Sequence, residues 1–243
     1  MKQSKNIILA LDSTAEVSTV CVCEGERLIS EITVNTGNTH SQALLPALEQ
    51  ALKMAELSVD DIDIFACSTG PGSFTGVRIG VATVKGIAYG KNKPCVSVST
   101  LEALAYNLID LDGIICPVMN ARRSQVYNAL FECQDGKMRR LCVDRALSIS
   151  ELDDELATQD KPIYLCGDGY EITQKGFMKT QICHVSERRR YQSAYSVAQA
   201  ALKKYSDGQY VGDSELVPIY LRPSQAERER HERLNNENKK EEK

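Results

Sequence analysis

Two stretches of this chain repeat one another. IILALDST…STVCVCEGERL, beginning at Ile7, and IICPVMNARRSQVYNALFECQDGKMRRL, beginning at Ile114, each read strand, turn, strand, glycine turn, strand at similar spacing. In the first, Ile7–Asp12 is a buried strand ended by the turn formers Ser13 and Thr14. Ser18–Cys23, the turn Glu24-Gly25-Glu26 and the strand Arg27–Val34 complete an antiparallel meander. In the second, Ile114–Met119, the turn Asn120-Ala121-Arg122-Arg123, a strand over Gln125–Glu132, the Asp135-Gly136 turn and Arg139–Val143 keep the same order. Asp12 and Asn120 stand at equivalent corners. A chain built this way folds as a duplicated α/β protein, two lobes each with a mixed sheet flanked by helices.

The segments after each meander fit that reading. Thr39 with Gln42 has the capping-box pattern, and Leu44, Leu45, Leu48, Leu52 and Ala55 form one apolar face. A strand over Ile62–Cys67, the loop Ser68–Ser73, a helix to about Tyr89, a strand over Cys95–Ser99 and a helix over Leu101–Leu108, opened by Ser99 and Glu102, close the first half. The second half continues with a Ser148/Glu151 capping box, a strand over Ile163–Cys166, the turn Gly167-Asp168-Gly169 and a helix over Ala194–Tyr205. The lobes are therefore read as 1–108 and 109–223, with the last helix free to pack back on the first lobe. Ser224 and Glu227 open the segment 224–243, whose charge and lack of apolar residues predict a solvated, disordered tail.

Composition narrows the class. With 29 Lys+Arg against 33 Asp+Glu in 243 residues, the net charge is −4, which disfavours a stand-alone nucleic-acid coat. Nine cysteines, at positions 21, 23, 67, 95, 116, 133, 142, 166 and 183, include no C-x-x-C and mostly sit in apolar runs. They read as buried structural thiols in a reducing cytoplasm, with no metal site. The apolar run after Lys2 and Lys5 stops at Asp12, and no stretch approaches the ~18 apolar residues of a membrane span.

The most informative segment is STGPGSFTGVRIG, Ser68–Gly80. Gly70 and Gly72 around Pro71, with Ser73 opening a helix, can present backbone amides to an anion, or can serve only as a strand-to-helix connection. A Walker-A pattern is absent. Gly76, Gly80 and Gly86 lie inside the helix, each costing about 1 kcal/mol relative to Ala. Close backbone approach would offset this, either within the core or against a second subunit. Asp12, with Ser13 and Thr14, can hold Mg²⁺ through water at a cleft or simply bond its own turn. Gly167 and Gly169 leave room for a base. Asn120, Arg122 and Arg123 at the matching corner weaken kinase or ATPase chemistry. His40, His184 and His231 lack H-E-x-x-H spacing, no G-x-S-x-G elbow occurs, and Arg188-Arg189-Arg190 reads as a solvated basic turn. His40, beside a helix start, reads as a surface residue.

ILALDSTAEVSTV, THSQALLPALEQAL, STGPGSFTGVRIGVATVKGIAYG, VSVSTLEALA and VPIYLRPSQAE together resemble the bacterial TsaB (YeaZ-type, Gcp-like) family of tRNA threonylcarbamoyladenosine biosynthesis proteins, over most of residues 6–227. The resemblance implies the actin/sugar kinase/Hsp70 fold and a cytoplasmic subunit with no catalysis or required cofactor of its own. Its partners would be the metal-binding paralogue TsaD, which transfers the threonylcarbamoyl group, and the ATPase TsaE, with tRNA met through the complex. It implies a docking bundle using Leu44, Leu45, Leu48, Leu52, Phe74, Gly76, Val77, Gly80 and Thr83, and a homodimer when the partner is absent. Weak nucleotide or anion binding would fall to Asp12, Ser13, Thr14, Gly70, Gly72, Ser73, Gly167 and Gly169. The family's usual acidic residue is missing at Asn120, and the paired histidines of the catalytic relative are absent. The competing readings are an independent small-molecule kinase or ATPase of the same fold and, less well supported, a glycoprotease-like peptidase.

Overall fold

The computed structural model describes residues 6–37 and 39–222; the segment 224–243, including Ser224 and Glu227, lies outside them. In the first half, β1 (Ile7–Asp12), β2 (Ser18–Glu24), β3 (Arg27–Val34), α1 (His40–Met54), β4 (Ile64–Ser68), α2 (Phe74–Ala88), β5 (Cys95–Val98) and α3 (Thr100–Tyr106) succeed one another. The sheet order is β3-β2-β1-β4-β5. A two-residue turn at Gly25, φ +60°, forces β2 and β3 antiparallel, whereas the helical crossovers make β1, β4 and β5 parallel.

The second half repeats this plan with β6 (Gly113–Asn120), β7 (Gln125–Asn128), β8 (Phe131–Gln134), β9 (Lys137–Arg140), β10 (Arg145–Ser148), α4 (Ile149–Leu156), β11 (Ile163–Cys166), α5 (Tyr170–Gly176) and α6 (Ala194–Ser206). The single strand expected over Gln125–Glu132 is divided into β7 and β8. Both pair antiparallel with β6 in one register, Asn128 opposite Val118 and Phe131 opposite Ile115. The break lies opposite Pro117, which has no N–H to give a ladder. Asn128 Nδ2 instead donates to the Pro117 and Ala129 carbonyls at 3.1 and 2.9 Å. β11 lies parallel on the other edge of β6, and the equivalent of β5 is reduced to one bridge between Tyr164 and Cys183.

The two halves exchange helices. On one face of the first sheet, Leu44, Leu48, Leu52, Val77, Val81 and Val84 of α1 and α2 pack on Leu9, Leu11, Val20 and Phe65. The opposite face is covered by α6, whose Ala194, Val197, Ala198 and Ala201 meet Ile8, Ala10, Cys21 and Cys23. Alanines at those positions let the helix lie close to the strands. Conversely, Leu101, Leu104 and Leu108, in and just after α3, pack with Ile115, Met119 and Phe131 of the second sheet. α4 and α5 close that sheet's other face through Leu152, Leu156 and Tyr170. The boundary at residue 108 therefore divides the chain but not the packing. This is a doubled α/β architecture, joined at its centre by α3 and α6.

Side-chain caps form at α2, α3, α4 and α6 but not at α1 or at α5, whose N-cap is Gly169. Ser148 and Glu151 form a complete capping box, and Ser99 accepts from the Glu102 amide at 3.3 Å. Thr39 sits at the N-cap of α1, but its side chain makes no cap bond. It meets the Ser41 hydroxyl at 3.1 Å, so the expected Thr39/Gln42 capping box is not formed.

Candidate functional site

The corners after β1 and β6 are built alike. Asp12 Oδ1 accepts from the Thr14 amide at 2.8 Å, and Asn120 Oδ1 accepts from the Arg122 amide at 2.8 Å. Each side chain holds its own turn, a role that needs one oxygen and no charge. The Asp12 carboxyl also accepts from the Thr14 hydroxyl at 2.7 Å, while Oδ2 lacks a hydrogen-bond partner. Burial pushes the acid above its ordinary value, against the pull of the Ser68 and Thr14 hydroxyls. Asp12 and Thr14 are wholly buried and Ser13 is 1% exposed. Asp12 and Ser13 are therefore covered by the chain itself, whereas Thr14, with Gly72 and Ser73, borders the cleft described below.

The cover is the glycine segment. A Cβ at Gly72 would strike the Thr14 carbonyl and lie 2.8 Å from the Thr14 Cβ; one at Gly76 would fall on the Ser13 carbonyl; one at Gly80 would lie 2.7 Å from the Ser13 hydroxyl. Ser73 donates its amide to the Thr14 carbonyl at 2.7 Å, and Ser13 Oγ donates to the Gly76 carbonyl at 2.9 Å. Gly76 and Gly80, expected to notch an interface, are instead buried where α2 presses on the β1 corner. The second lobe repeats the device. Cβ atoms at Gly167, φ +101°, and Gly169 would crowd the Val118 backbone at the end of β6, a close approach that accounts for both glycines.

Gly70, φ +120°, is filled from the far end of the chain. A Cβ there would meet the Ile219 carbonyl, and the Ile219 amide donates to the Thr69 carbonyl at 2.8 Å. Residues 211–222 form a strap along α2. Lys85 Nζ donates to the Ser214 and Leu216 carbonyls at 2.7 and 3.1 Å, and Arg78 Nε donates to the Tyr220 hydroxyl at 2.8 Å. Tyr220 stacks on Phe74 with ring centroids 4.7 Å apart. The strap ends on the other lobe, where Arg222 donates to the Ala121 carbonyl at 3.4 Å and to Gln125 Oε1 at 2.6 Å.

Between strap and lobes lies a cleft of about 410 Å³ lined by Thr14, Ser73, Asn120, Arg122, Asp168 and Arg222. Asp168 accepts from the Asn120 amide at 3.0 Å. Its side chain touches solvent, but it stands within a concave surface that desolvates it, and its pKa is raised to about 6. Arg122, Arg123 and Ser124 form a left-handed turn at the rim, with φ of +63°, +53° and +56°. Sequence reasoning assigns no role to the Asp168 side chain or to Arg222; an arginine and an aromatic closing an otherwise apolar stretch, VPIYLR, is the available signal for the strap.

The docking residues divide by helical phase. Leu44, Leu48, Leu52 and Val77 are buried in the chain's own core, Phe74 and Thr83 are half-buried, and Leu45 is 49% exposed. The outward face consists of Leu45, Glu49 and Lys53 on α1 and Arg78, Ala82 and Gly86 on α2, with Tyr89 at 81% exposure just beyond. Most of the residues expected at the interface therefore belong to the core face. The same 3.6-residue period that marks Leu44, Leu48 and Leu52 as core marks Ala82 and Gly86 as surface.

Other expectations resolve simply. All nine cysteines are free, and seven are buried. Cys21 and Cys23 lie on one face with sulfurs 3.7 Å apart. Among the described residues no cluster of ligands could hold a metal ion, and no helix is long and apolar enough to cross a membrane. His40 is not a free surface residue, since its Nδ1 meets the Ser18 hydroxyl at 2.6 Å. Nor are the three arginines a solvated turn. Arg189 bonds the Asn107 carbonyl and Arg190 lies 3.6 Å from the Tyr170 ring centroid, leaving Arg188 exposed.

Comparison with known proteins fits this geometry. Residues 29–228 match the family model described as TsaD: tRNA N6-adenosine threonylcarbamoyltransferase. The tRNA threonylcarbamoyladenosine biosynthesis protein TsaB of Bacillus subtilis (strain 168) is 30% identical over 229 residues, covering 90% of this chain and 96% of that one. A tRNA N6-adenosine threonylcarbamoyltransferase of Kosmotoga olearia is 30% identical over 167 residues, 62% of this chain and 51% of the larger protein. The fold of YeaZ from Pseudomonas aeruginosa superposes with a TM-score of 0.79 at 24% identity, covering 89% of this chain and all of that one. The chain belongs to the TsaB (YeaZ-type) family of tRNA threonylcarbamoyladenosine biosynthesis proteins.

Proposed function

We propose that this protein serves tRNA threonylcarbamoyladenosine formation as a subunit without catalysis of its own, docking through the outward faces of α1 and α2 onto a TsaD-type transferase. One observation carries the reading. At the β1 corner Asp12 is wholly buried and Ser13 lies under Gly76 and Gly80, while Leu45, Ala82, Gly86 and Tyr89 stand open on the outer helix faces. A shape kept without an open reactive corner suits a scaffold. Small side chains beside exposed apolar ones suit close helix packing with a partner. A TsaE-type ATPase would join the pair, and tRNA would be met by the assembly. Without the transferase, two copies of this chain would pair through the same face.

The test is reconstitution. Transferase, ATPase, threonylcarbamoyl-adenylate and tRNA are combined with and without this chain, and the modified nucleoside is quantified by mass spectrometry. Product should form only when the chain is present; equal product without it would defeat the reading. ATP turnover by the purified chain alone, abolished by Asp12→Ala, would favour an independent kinase or ATPase instead. Replacing Ala82 with Glu should weaken association with the transferase at least about tenfold, because a charge is then buried in the contact, while leaving Tm unchanged. Retained affinity would move the interface elsewhere.

A further inference from the structure

Most described arginines lie against a carboxylate: Arg139 faces Glu132, Arg140 faces Asp144 and Arg145 faces Glu155. Arg78, Arg122, Arg123 and Arg222 have no acidic partner among the described residues, and they stand together. Arg78 donates to the Tyr220 hydroxyl at 2.8 Å, and Arg222 follows Tyr220 on the strap. Arg222 in turn donates to the carbonyl of Ala121, the neighbour of Arg122, and both Arg122 and Arg222 line the cleft. Arg188, also without an acid, lies elsewhere, in the segment before α6.

These side chains keep donors to spare, since a guanidinium carries five N–H groups. Arg78 commits its Nε to Tyr220, and its guanidinium carbon lies 3.9 Å from the Phe74 ring centroid, which limits its freedom. Arg222 commits Nη1 and Nη2 to Ala121 and Gln125 and leaves its other hydrogens free of protein partners. The side chains of Arg122 and Arg123 are exposed and make no hydrogen bond among the described residues. Their backbone is strained. With Ser124 they hold the left-handed conformation that residues other than glycine rarely adopt. Asn120 Oδ1 accepts from the Arg122 amide, and the Gln125 amide donates to the Arg122 carbonyl at 3.1 Å, so the turn is fixed. Strain that keeps two unpaired arginines in the open points to a ligand.

The charge pattern favours an extended polyanion over a compact one. Asp168 stands inside the cleft, and the negative charge of Glu16 acts on it there. A phosphate entering the cleft would meet both acids. The arginines instead run from the outward side of α2 along the strap to the turn of the second lobe, so a chain of phosphates can cross them and stay outside. We propose that Arg78, Arg222, Arg122 and Arg123 form a track for the sugar-phosphate backbone of RNA, spanning both lobes and reading no bases. This rests on the reading that the assembly meets tRNA, and it adds the surface of this chain that does so. Because Arg78 borders the docking face, the track starts at the edge of the contact with the transferase.

The full chain, alone and with the transferase, is titrated against a fluorescent unmodified tRNA transcript by anisotropy between about 50 and 200 mM KCl. Combining Arg122→Gly with Arg123→Gly removes two charges at positions whose φ suits glycine, so the turn is kept. This variant should bind the transcript at least about tenfold more weakly at the lower salt, and its slope of log K against log salt should be shallower by about 1.5. Its association with the transferase, measured without RNA, should be unchanged. Arg27→Gln, at the opposite end of the first sheet, should leave RNA binding as it is. The proposal is overturned if the unaltered chain binds no transcript in either setting, or if the double variant loses no more affinity than Arg27→Gln. Displacement of the transcript by ATP but not by an oligouridylate also overturns it, by placing a nucleotide in the cleft. So does binding to vesicles of phosphatidylglycerol and phosphatidylcholine without binding to the transcript. Failure of the subunit reading shows separately, as product formed in the reconstitution without this chain; chain-dependent product with undiminished RNA affinity of the double variant defeats the track alone.

Discussion

Glycines of one helix have opposite meanings here. Gly76 lies where a Cβ would fall on the Ser13 carbonyl, whereas Gly86 has nothing within 4 Å of such an atom. Gly76→Ala should therefore lose about 1–3 kcal/mol through backbone displacement, and Gly86→Ala should gain about 0.5–1 kcal/mol from helix propensity. Urea denaturation of the two variants checks the contrast; equal effects would deny the clamp between α2 and the β1 corner. Asp12 gives a second residue-scale prediction. Because burial raises its folded pKa above the unfolded value of about 3.9, the native state binds the proton more readily. Its contribution to stability is thus most favourable below the unfolded pKa and declines as pH rises through the folded one. Asp12→Asn keeps the oxygen that holds Thr14, as Asn120 does for Arg122, and should be more stable at neutral pH with that decline removed. A less stable variant at pH 7 would mean the charge is needed.

At the scale of elements, the capping positions test how local chemistry sets helix ends. Ser148→Ala removes a reciprocal box at α4 and should cost about 1 kcal/mol, while Thr39→Ala, whose side chain caps nothing, should be close to neutral. Thermal unfolding of the pair checks this, and an equal cost would show that a threonine cap forms in solution. Most elements were legible in the sequence. The apolar runs at Ile7–Asp12 and Ile163–Cys166, the Gly25 and Asp135-Gly136 turns, and the stripe on α1 all carry periods that only one local structure satisfies. The division of β7 from β8 was less so, because it depends on Pro117, which lies in the neighbouring strand and acts across the ladder.

For the whole molecule, the strap and the exchanged helices hold the halves together. Arg222 is the strap's anchor on the second lobe, so Arg222→Ala should lose about 1 kcal/mol and speed amide hydrogen exchange around Gln125, leaving β1 and β4 unchanged. Exchange that does not change would show the strap is held by the first lobe alone. The candidate site was harder to read than the fold for the same reason that the strap was. Gly70, Gly72 and Gly76 announce close approach, but a glycine does not name what approaches; here it is Ile219, Thr14 and Ser13. Leu44 and Leu48 likewise announce an apolar face without saying whether a sheet or a second subunit covers it.

The amino-acid sequence, through its repeated strand and turn pattern, determined that two similar α/β units would form and that Asp12 and Asn120 would turn equivalent corners. Those outcomes rest on interactions between neighbours along the chain. Only the tertiary structure decided that α3 and α6 trade sheets, that Gly76 and Gly80 of α2 press on the β1 corner while Gly86 faces outward, and that the Gln192 amide is left buried and unpaired. Each of these depends on which distant segment fills a given space, and steric exclusion between remote parts of a chain has no signature in local spacing.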